Sequence, residues 1–257
     1  MVESLKPIDK EVLTAGLSAN SIIRTLSYHQ KLDSTNAFAS SLVQSKSFDN
    51  GTVIVADEQT AGRGRRGKSW FSPKYSNVYA SIILKDEMQA NQSFFMTLTA
   101  AVCVKHALEK HCGMTAGLKW PNDVLIGRKK IAGILIERLE GHFIVGLGLN
   151  VNMDPNQSLE LRLKATSVLK ETGLWMDREG LILGILSCFE KCYGTCCANK
   201  QDIFAEWRDS LIWPKRPVEM MIDSKKVLAK PLRVAEDGGL ILLVCGKERT
   251  VYNAEYV

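Results

Sequence analysis

Long hydrophobic runs are missing from this chain. No apolar stretch in its 257 residues approaches the length of a membrane span. The first residues, MVESLKPIDKEVL, lack the apolar core of a secretion signal. Neither an internal repeat nor a low-complexity linker divides the sequence. The length fits one large domain, or one domain with a small appendage. Charge of one sign is not in great excess. The net value is +5, so where the cations sit matters more than their total. Cysteines number seven, and without a secretion signal they read as reduced cytosolic thiols rather than a disulfide framework. The densest group is Cys188, Cys192, Cys196 and Cys197. No second His/Cys cluster completes a zinc site in the sequence, and the spacing fits a helix burying small thiols beside Leu186, Phe189 and Tyr193.

What is present is a mixture of helical and strand patterns. Residues 1–26 read as helical. SYHQKLDSTNAF then passes from a strand into a helix, with Asp33, Ser34 and Thr35 as possible N-caps. TVIVAD (52–57) and NVYASIIL (77–84) read as strands, and 96–111 as an amphipathic helix. GLKWPN, DVLIGRKKIAGILIERL and HFIVGLGLNVN read as strands joined by tight glycine turns. Residues 158–172, 178–197 and 201–211 read as helices. After Trp213-Pro214 the texture changes to short strands, RPVEMMI, KVLAKPLRV, GLILLVC and ERTVYNAEYV, the pattern of a small β-barrel. The fold class is α/β or α+β, with a boundary between residues 212 and 213.

The most informative segment is Gln59–Trp70, QTAGRGRRGKSW. Gly62, Gly64 and Gly67 match a dinucleotide fingerprint, and Gly62, Gly67, Lys68 and Ser69 match a P-loop. Both motifs need a strand directly before and a helix directly after. Here Glu58–Ala61 intervene before, and SWFSPKYSN follows without a helical period, so neither is expected. Arg63, Arg65, Arg66 and Lys68 instead put four cations into six residues. Such a loop repels itself unless an anion joins it. It could close over a phosphorylated ligand, with Trp70 stacking on a base. It could equally be a solvated turn or a nucleic-acid contact. A second cluster, Lys119–Glu137, sets Lys119, Asn122, Asp123 and Lys130 in apolar strand-like sequence. Those polar groups either line an anion site or decorate an exposed hairpin.

Four segments in this order, DSTN (33–36), EQTAGRGRRGKSWFSP (58–73), KWPNDVLIGRKKIAGILIE (119–137) and GLGLNVN (146–152), resemble the biotin–protein ligases, also called biotin–[acetyl-CoA-carboxylase] ligases. The resemblance runs from about residue 27 to residue 245. It implies a class II aminoacyl-tRNA-synthetase-like mixed sheet flanked by helices over 1–212, and an SH3-like barrel over 213–257. It implies ATP and biotin as substrates, with Mg²⁺ carried on the nucleotide and no metal held by the protein itself. Ser34, Thr35, Asn36 and Gln59 would bond biotin's polar head. Arg63, Gly64, Arg65 and Lys130 would lie along its carboxylate and the phosphate, and Gly133 and Leu135 beside the ligand. Arg66, Trp70, Asn122, Asp123 and Asn150 would form the nucleotide side. Lys130, Arg65 and Asp123 would carry the chemistry, Asp123 as the group that orients or deprotonates the incoming lysine.

The implied partner is a biotin carboxyl carrier domain, the location cytoplasmic, and a homodimer is an option. About 25 residues precede the DSTN strand, too few for the DNA-binding domain of some members, so neither DNA nor a membrane is expected as a partner. Two departures stand out. The ending YNAEYV replaces a glycine-containing G-E-V-like ending, and PKRPVEM stands where glycine is common, so barrel contacts seen elsewhere need not transfer. Other readings are a lipoate or octanoate ligase of the same fold, a nucleic-acid module using the basic loop, and a P-loop nucleotidase.

Overall fold

The computed structural model describes residues 5–18, 21–86, 93–198 and 200–256, the side chains of 194–198 excepted. In chain order the elements are α1 (Lys10–Gly16), β1 (Thr25–His29), α2 (Thr35–Ser45), β2 (Thr52–Ala56), β3 (Val78–Lys85) and α3 (Ser93–Cys112). Then follow β4 (Gly117–Lys119), β5 (Asp123–Ile126), β6 (Lys129–Leu139), β7 (His142–Leu149), α4 (Leu159–Lys164), α5 (Val168–Thr172), α6 (Arg178–Ala198) and α7 (Lys200–Asp209). The last are β8 (Val218–Ile222), β9 (Lys225–Val234), β10 (Leu240–Val244), β11 (Lys247–Val251) and β12 (Ala254–Tyr256).

The first seven strands form one mixed sheet, ordered β1-β2-β3-β7-β6-β5-β4, in which only the β1–β2 pairing is parallel. Helix α2 covers one face, where Ala39 and Val43 meet Ile54, Ile83 and Ile144. Helix α3 lies on the other, with α6 and α7 outside it. The expected mixed sheet flanked by helices is therefore present. The C-terminal strands form a second, antiparallel sheet, β11-β10-β9-β8-β12. Its Met220, Ile222, Leu240 and Leu242 belong to the same continuous apolar core as α3. Among the described residues, no helix is long and apolar enough to cross a membrane.

Four expectations are corrected. Within 1–26 the described helix is only Lys10–Gly16, capped by Asp9, and Thr25 onward is drawn into the sheet by β2. The 158–172 helix is two short ones, because Ala165 and Thr166 turn aside to pair with Lys130. Helix α3 is not amphipathic: sandwiched between sheet and helices, it is buried from Leu98 to Val104 without a break. ERTVYNAEYV splits into β11 and β12, which pair with different strands, β10 and β8.

The α1 segment and α6 are anchored to the sheet by a buried ion pair. Arg178 Nη1 lies 2.9 Å from Asp57 Oδ1, and both side chains are almost fully buried. Asp57 also accepts from the Ile8 amide at 3.2 Å and the Tyr28 hydroxyl at 2.5 Å. Burial and the neighbouring Asp57 carboxylate hold the Tyr28 phenol above its ordinary pKa.

Candidate active site

The floor of the site follows from strand periodicity. Along β7, Phe143, Val145 and Leu149 face α3, while Ile144, Gly146 and Gly148 face α2. Ile144 packs under α2; the two glycines beyond it leave that face bare. β6 pairs alongside with Gly133 opposite Gly148 and Leu135 opposite Gly146. Three glycines thus open a hollow in the sheet just beyond the first turn of α2. The space is used closely. A Cβ on Gly146 would come within 2.1 Å of Asn36 Oδ1, and one on Gly148 within 2.4 Å of the Trp70 ring.

The hollow is a narrow cavity of about 50 Å³. It is lined by Ser34, Thr35, Asn36, Gln59, Arg63, Gly64, Arg65, Trp70, Asn122, Lys130, Gly133, Ile134, Leu135, Gly146, Leu147 and Gly148. At one end sit neutral hydrogen-bonding groups. Ser34 caps α2 and turns its first residues inward. The Thr35 amide and hydroxyl donate to Gln59 Oε1 at 2.9 and 3.2 Å, and Gln59 Nε2 donates to Ser72 Oγ at 2.9 Å. Asn36 Nδ2 donates to Glu137 Oε2 at 2.7 Å, and the Ser81 hydroxyl lies between Thr35 Oγ1 and Asn36 Oδ1.

At the other end are cations. A bulge between Val124/Leu125 and their β6 partners leaves Ile131 unpaired and buried. It resets the alternation, so Lys130 and Gly133 share a face that a regular strand would deny them. Lys130 Nζ lies 2.6 Å from Asp123 Oδ1 and 5.1 Å from the centre of the Trp70 ring. Asn122 donates to the Ile134 carbonyl at 2.7 Å and accepts from Arg65 Nη1 at 3.4 Å. Burial, then the charge of Arg66, holds the Arg65 pKa down. Both favour an anion beside it.

The glycine–arginine loop is a tight reversal. Trp70 N donates to Gly62 O and Gly64 N to Lys68 O, around a single turn at Arg65–Gly67 with Arg66 at φ 57°. Extended chain follows, so the P-loop and dinucleotide matches lack their helix here too. Trp70 divides the cavity from a wider recess of about 500 Å³ bordered by Phe71, Asn150, Leu161 and Lys164. Its buried Nε1–H has no acceptor among the described residues.

Residues 28–154 match the family described as Biotin/lipoate A/B protein ligase. The matched stretch, just under half of the chain, is a domain of this family. Similarity to individual ligases is extensive. It is 40% identical over 184 residues to the bifunctional ligase/repressor BirA of Bacillus subtilis, covering 69% of this chain and 56% of that protein. It is 33% identical over 168 residues to the biotin–[acetyl-CoA-carboxylase] ligase of Mycobacterium tuberculosis, covering 63% and 62%. The chain thus spans little more than half the length of the Bacillus relative. A biotin protein ligase from Aquifex aeolicus in complex with biotin and ATP superposes with a TM-score of 0.79 at 27% identity, over 91% of this chain and 98% of that one.

Within this family domain, every residue expected to touch biotin lines the one cavity. The expected nucleotide side is more scattered. Trp70 and Asn122 line the cavity, Asp123 pairs with Lys130 at its rim, and Asn150 borders the recess. Asn150's side chain is itself engaged, donating to Thr166 O at 2.9 Å. Arg66 lies outside the cavity, hydrogen-bonded to Asn253 and 3.7 Å from Glu255. Sequence reasoning missed Ser81, Ser72 and Glu137, which hydrogen-bond Thr35, Asn36 and Gln59 and carry no local signal. It also missed Gly146 and Gly148, although glycines two apart in a strand do signal one bared face.

Proposed function

We propose that the chain is a biotin–protein ligase, which activates biotin with ATP and transfers it to a lysine of a biotin carboxyl carrier domain. The observation that carries this reading is the polarity of the cavity. Its neutral donors and acceptors suit an uncharged ureido head, and its far end is cationic where a carboxylate and phosphates must meet. Ser34, Thr35, Asn36 and Gln59 hold the head. Gly133 and Leu135 flank the apolar chain. Arg63, Gly64, Arg65 and Lys130 receive the carboxylate and the α-phosphate. Trp70, Asn122 and Asn150 border the nucleotide, with the free Trp70 N–H available to an acceptor. Arg66 serves phosphate only by leaving Glu255.

In the first step a biotin carboxylate oxygen attacks the α-phosphorus, and the bond to pyrophosphate breaks. In the second, the carrier's lysine amine attacks the acyl carbon and AMP departs with its bonding electrons. Asp123 orients that amine and takes its proton, a role supported by its carboxylate lying 2.6 Å from Lys130 Nζ. Mg²⁺ comes on the nucleotide phosphates and offsets their charge. To the same reading belong a catalytic region over 1–212, a C-terminal domain over 213–257, action in the cytoplasm and the option of a homodimer. Incubation with biotin, Mg·ATP and a carrier fragment, read by streptavidin blot, tests it. Label on the carrier lysine is expected. No label, or label only when lipoate replaces biotin and is probed for, overturns it.

A further inference from the structure

Behind the sheet, away from the cavity, three helices bring soft ligands together. Cys103 of α3 and Cys188 and Cys192 of α6 place their sulfurs all within 4.8 Å of one another. Cys188 and Cys192, one turn apart, are separated by 3.9 Å. His106, one turn along α3 from Cys103, sets its Nδ1 3.6 Å from Cys188 Sγ. Its other ring nitrogen, Nε2, is paired with Glu206 of α7. We propose that Cys103, Cys188 and Cys192, with His106 completing the set, form a structural binding site for a thiophilic divalent cation of the zinc class.

Distances are the first support. With Zn–S bonds of about 2.3 Å and a Zn–N bond of about 2.0 Å, tetrahedral geometry sets sulfurs roughly 3.8 Å apart and a sulfur and nitrogen roughly 3.5 Å apart. The Cys188–Cys192 separation and the Cys188–His106 separation already match, Cys103 must close in by no more than about an ångström, and the His106 ring, which lies outside the 4.8 Å thiol cluster, must swing toward it. A disulfide fits less well, since Cys188 and Cys192 would have to move from 3.9 Å to about 2.0 Å within one intact helical turn.

The histidine and glutamate are the second support. Thiols buried as small apolar groups need no ring nitrogen aimed at them. Glu206 sits against Nε2, and in the tautomer that donates Nε2–H to this carboxylate the Nδ1 lone pair is turned toward the Cys188 sulfur. A carboxylate behind the far nitrogen of a ligating imidazole is the recurring outer shell of metal sites. Cys103 is buried, whereas the His106 and Glu206 side chains are 38% and 37% exposed, which leaves a path for an ion at the α3–α7 rim. Each coordinating thiol gives its proton to solvent. Three thiolates and a neutral imidazole around a divalent ion carry one net negative charge. The site would pin α6 and α7 to α3, the helix that backs the catalytic sheet, and stabilise the fold by mass action. Cys196 and Cys197, grouped with this cluster by sequence, have side chains outside the described residues.

Cobalt is the probe. Reduced, metal-stripped protein is titrated with Co²⁺ and then with Zn²⁺. One equivalent of cobalt should develop the intense visible bands of tetrahedral coordination with sulfur-to-metal charge transfer, zinc should bleach them, and zinc should raise the thermal midpoint. Cys103→Ser, Cys188→Ser and Cys192→Ser should each lose charge-transfer intensity. Glu206→Gln should weaken binding about 10–100-fold, and Cys112→Ser and Cys245→Ser should change nothing. Variants that fold poorly do not weaken the test, because the wild-type spectrum decides it. A weak octahedral spectrum in folded wild-type protein overturns the proposal, as does an ion unaffected by Cys192→Ser.

Discussion

Lys130 Nζ and Asp123 Oδ1 stand 2.6 Å apart at the rim of the cavity, so this lysine and this carboxylate neutralise each other. In the proposed reaction, nucleotide phosphates would compete with Asp123 for Lys130, and binding them would free the carboxylate for the second step. Lys130→Ala should lower biotin-dependent ATP–pyrophosphate exchange by about 10²–10³. Asp123→Asn should instead spare exchange and slow transfer from preformed biotinyl-AMP. Wild-type exchange from Lys130→Ala would remove that lysine from the chemistry.

Arg65 is half-buried and donates to Asn122, and in the proposed reaction it would cover the mixed anhydride. Arg65→Gly should bind the adenylate loosely and leak it, and leaked adenylate acylates any exposed lysine. Incubated with ATP, biotin and serum albumin, the variant should label albumin where wild type does not. Equal and negligible labelling by both, with carrier labelling intact, would show that Arg65 does not retain the intermediate.

A loop of four cations requires an anion, and within the chain Glu255 supplies one. Its carboxylate lies 2.8 Å from Lys68 Nζ and 3.7 Å from Arg66 Nη1. Burial alone would raise its pKa, but the Lys68 hydrogen bond and the charges of Lys68, Arg66 and Arg65 hold it below the ordinary glutamate value. A carboxylate depressed in the folded state contributes fully above its unfolded pKa of about 4.3 and is lost as pH falls through the lower folded value. Glu255→Gln at neutral pH should therefore raise protease cleavage at Gly62–Trp70, and acid should do the same to wild type. Biotin with ATP should restore protection in the variant. Unchanged cleavage in Glu255→Gln would sink the latch. Truncation before Trp213 is a poorer test, because it strips Met220, Ile222 and Leu240 from the shared core.

Gly148 exists to admit Trp70. In Gly148→Ala the new methyl would meet the indole at 2.4 Å, too close without displacement of the ring. The expected result is a raised KM for ATP with stability little changed. Normal ATP kinetics would mean that Trp70 has another resting place.

Arg178→Met tests the anchor beneath the sheet. It leaves Asp57 buried with its cation gone, a loss of about 3–5 kcal/mol for a broken buried pair. The urea unfolding midpoint should fall accordingly. A shift equivalent to under about 1 kcal/mol would show that the backbone amide and Tyr28 suffice for Asp57.

Sequence alone determined the elements that local chemistry specifies. Ser34 ahead of an apolar helical run starts α2, β-branched runs bounded by turns make β2 and β3, and glycine turns close the β5–β7 meander. The missing helix after Lys68 was likewise legible, and it set aside two phosphate motifs. The order of four motifs was enough to point to the ligand's chemistry. Tertiary structure decided what depends on contacts distant in the chain. The bulge at Ile131, which turns Lys130 toward Gly133, has no signature because it arises from pairing with β5. Glu255 meets Lys68 only because β12 pairs with β8. Cys103 meets Cys188 and Cys192 only because α3 and α6 pack side by side, and one-dimensional spacing cannot register that. Local pattern records what a residue prefers next to its neighbours, whereas pockets and ligand sets depend on which faces pack together.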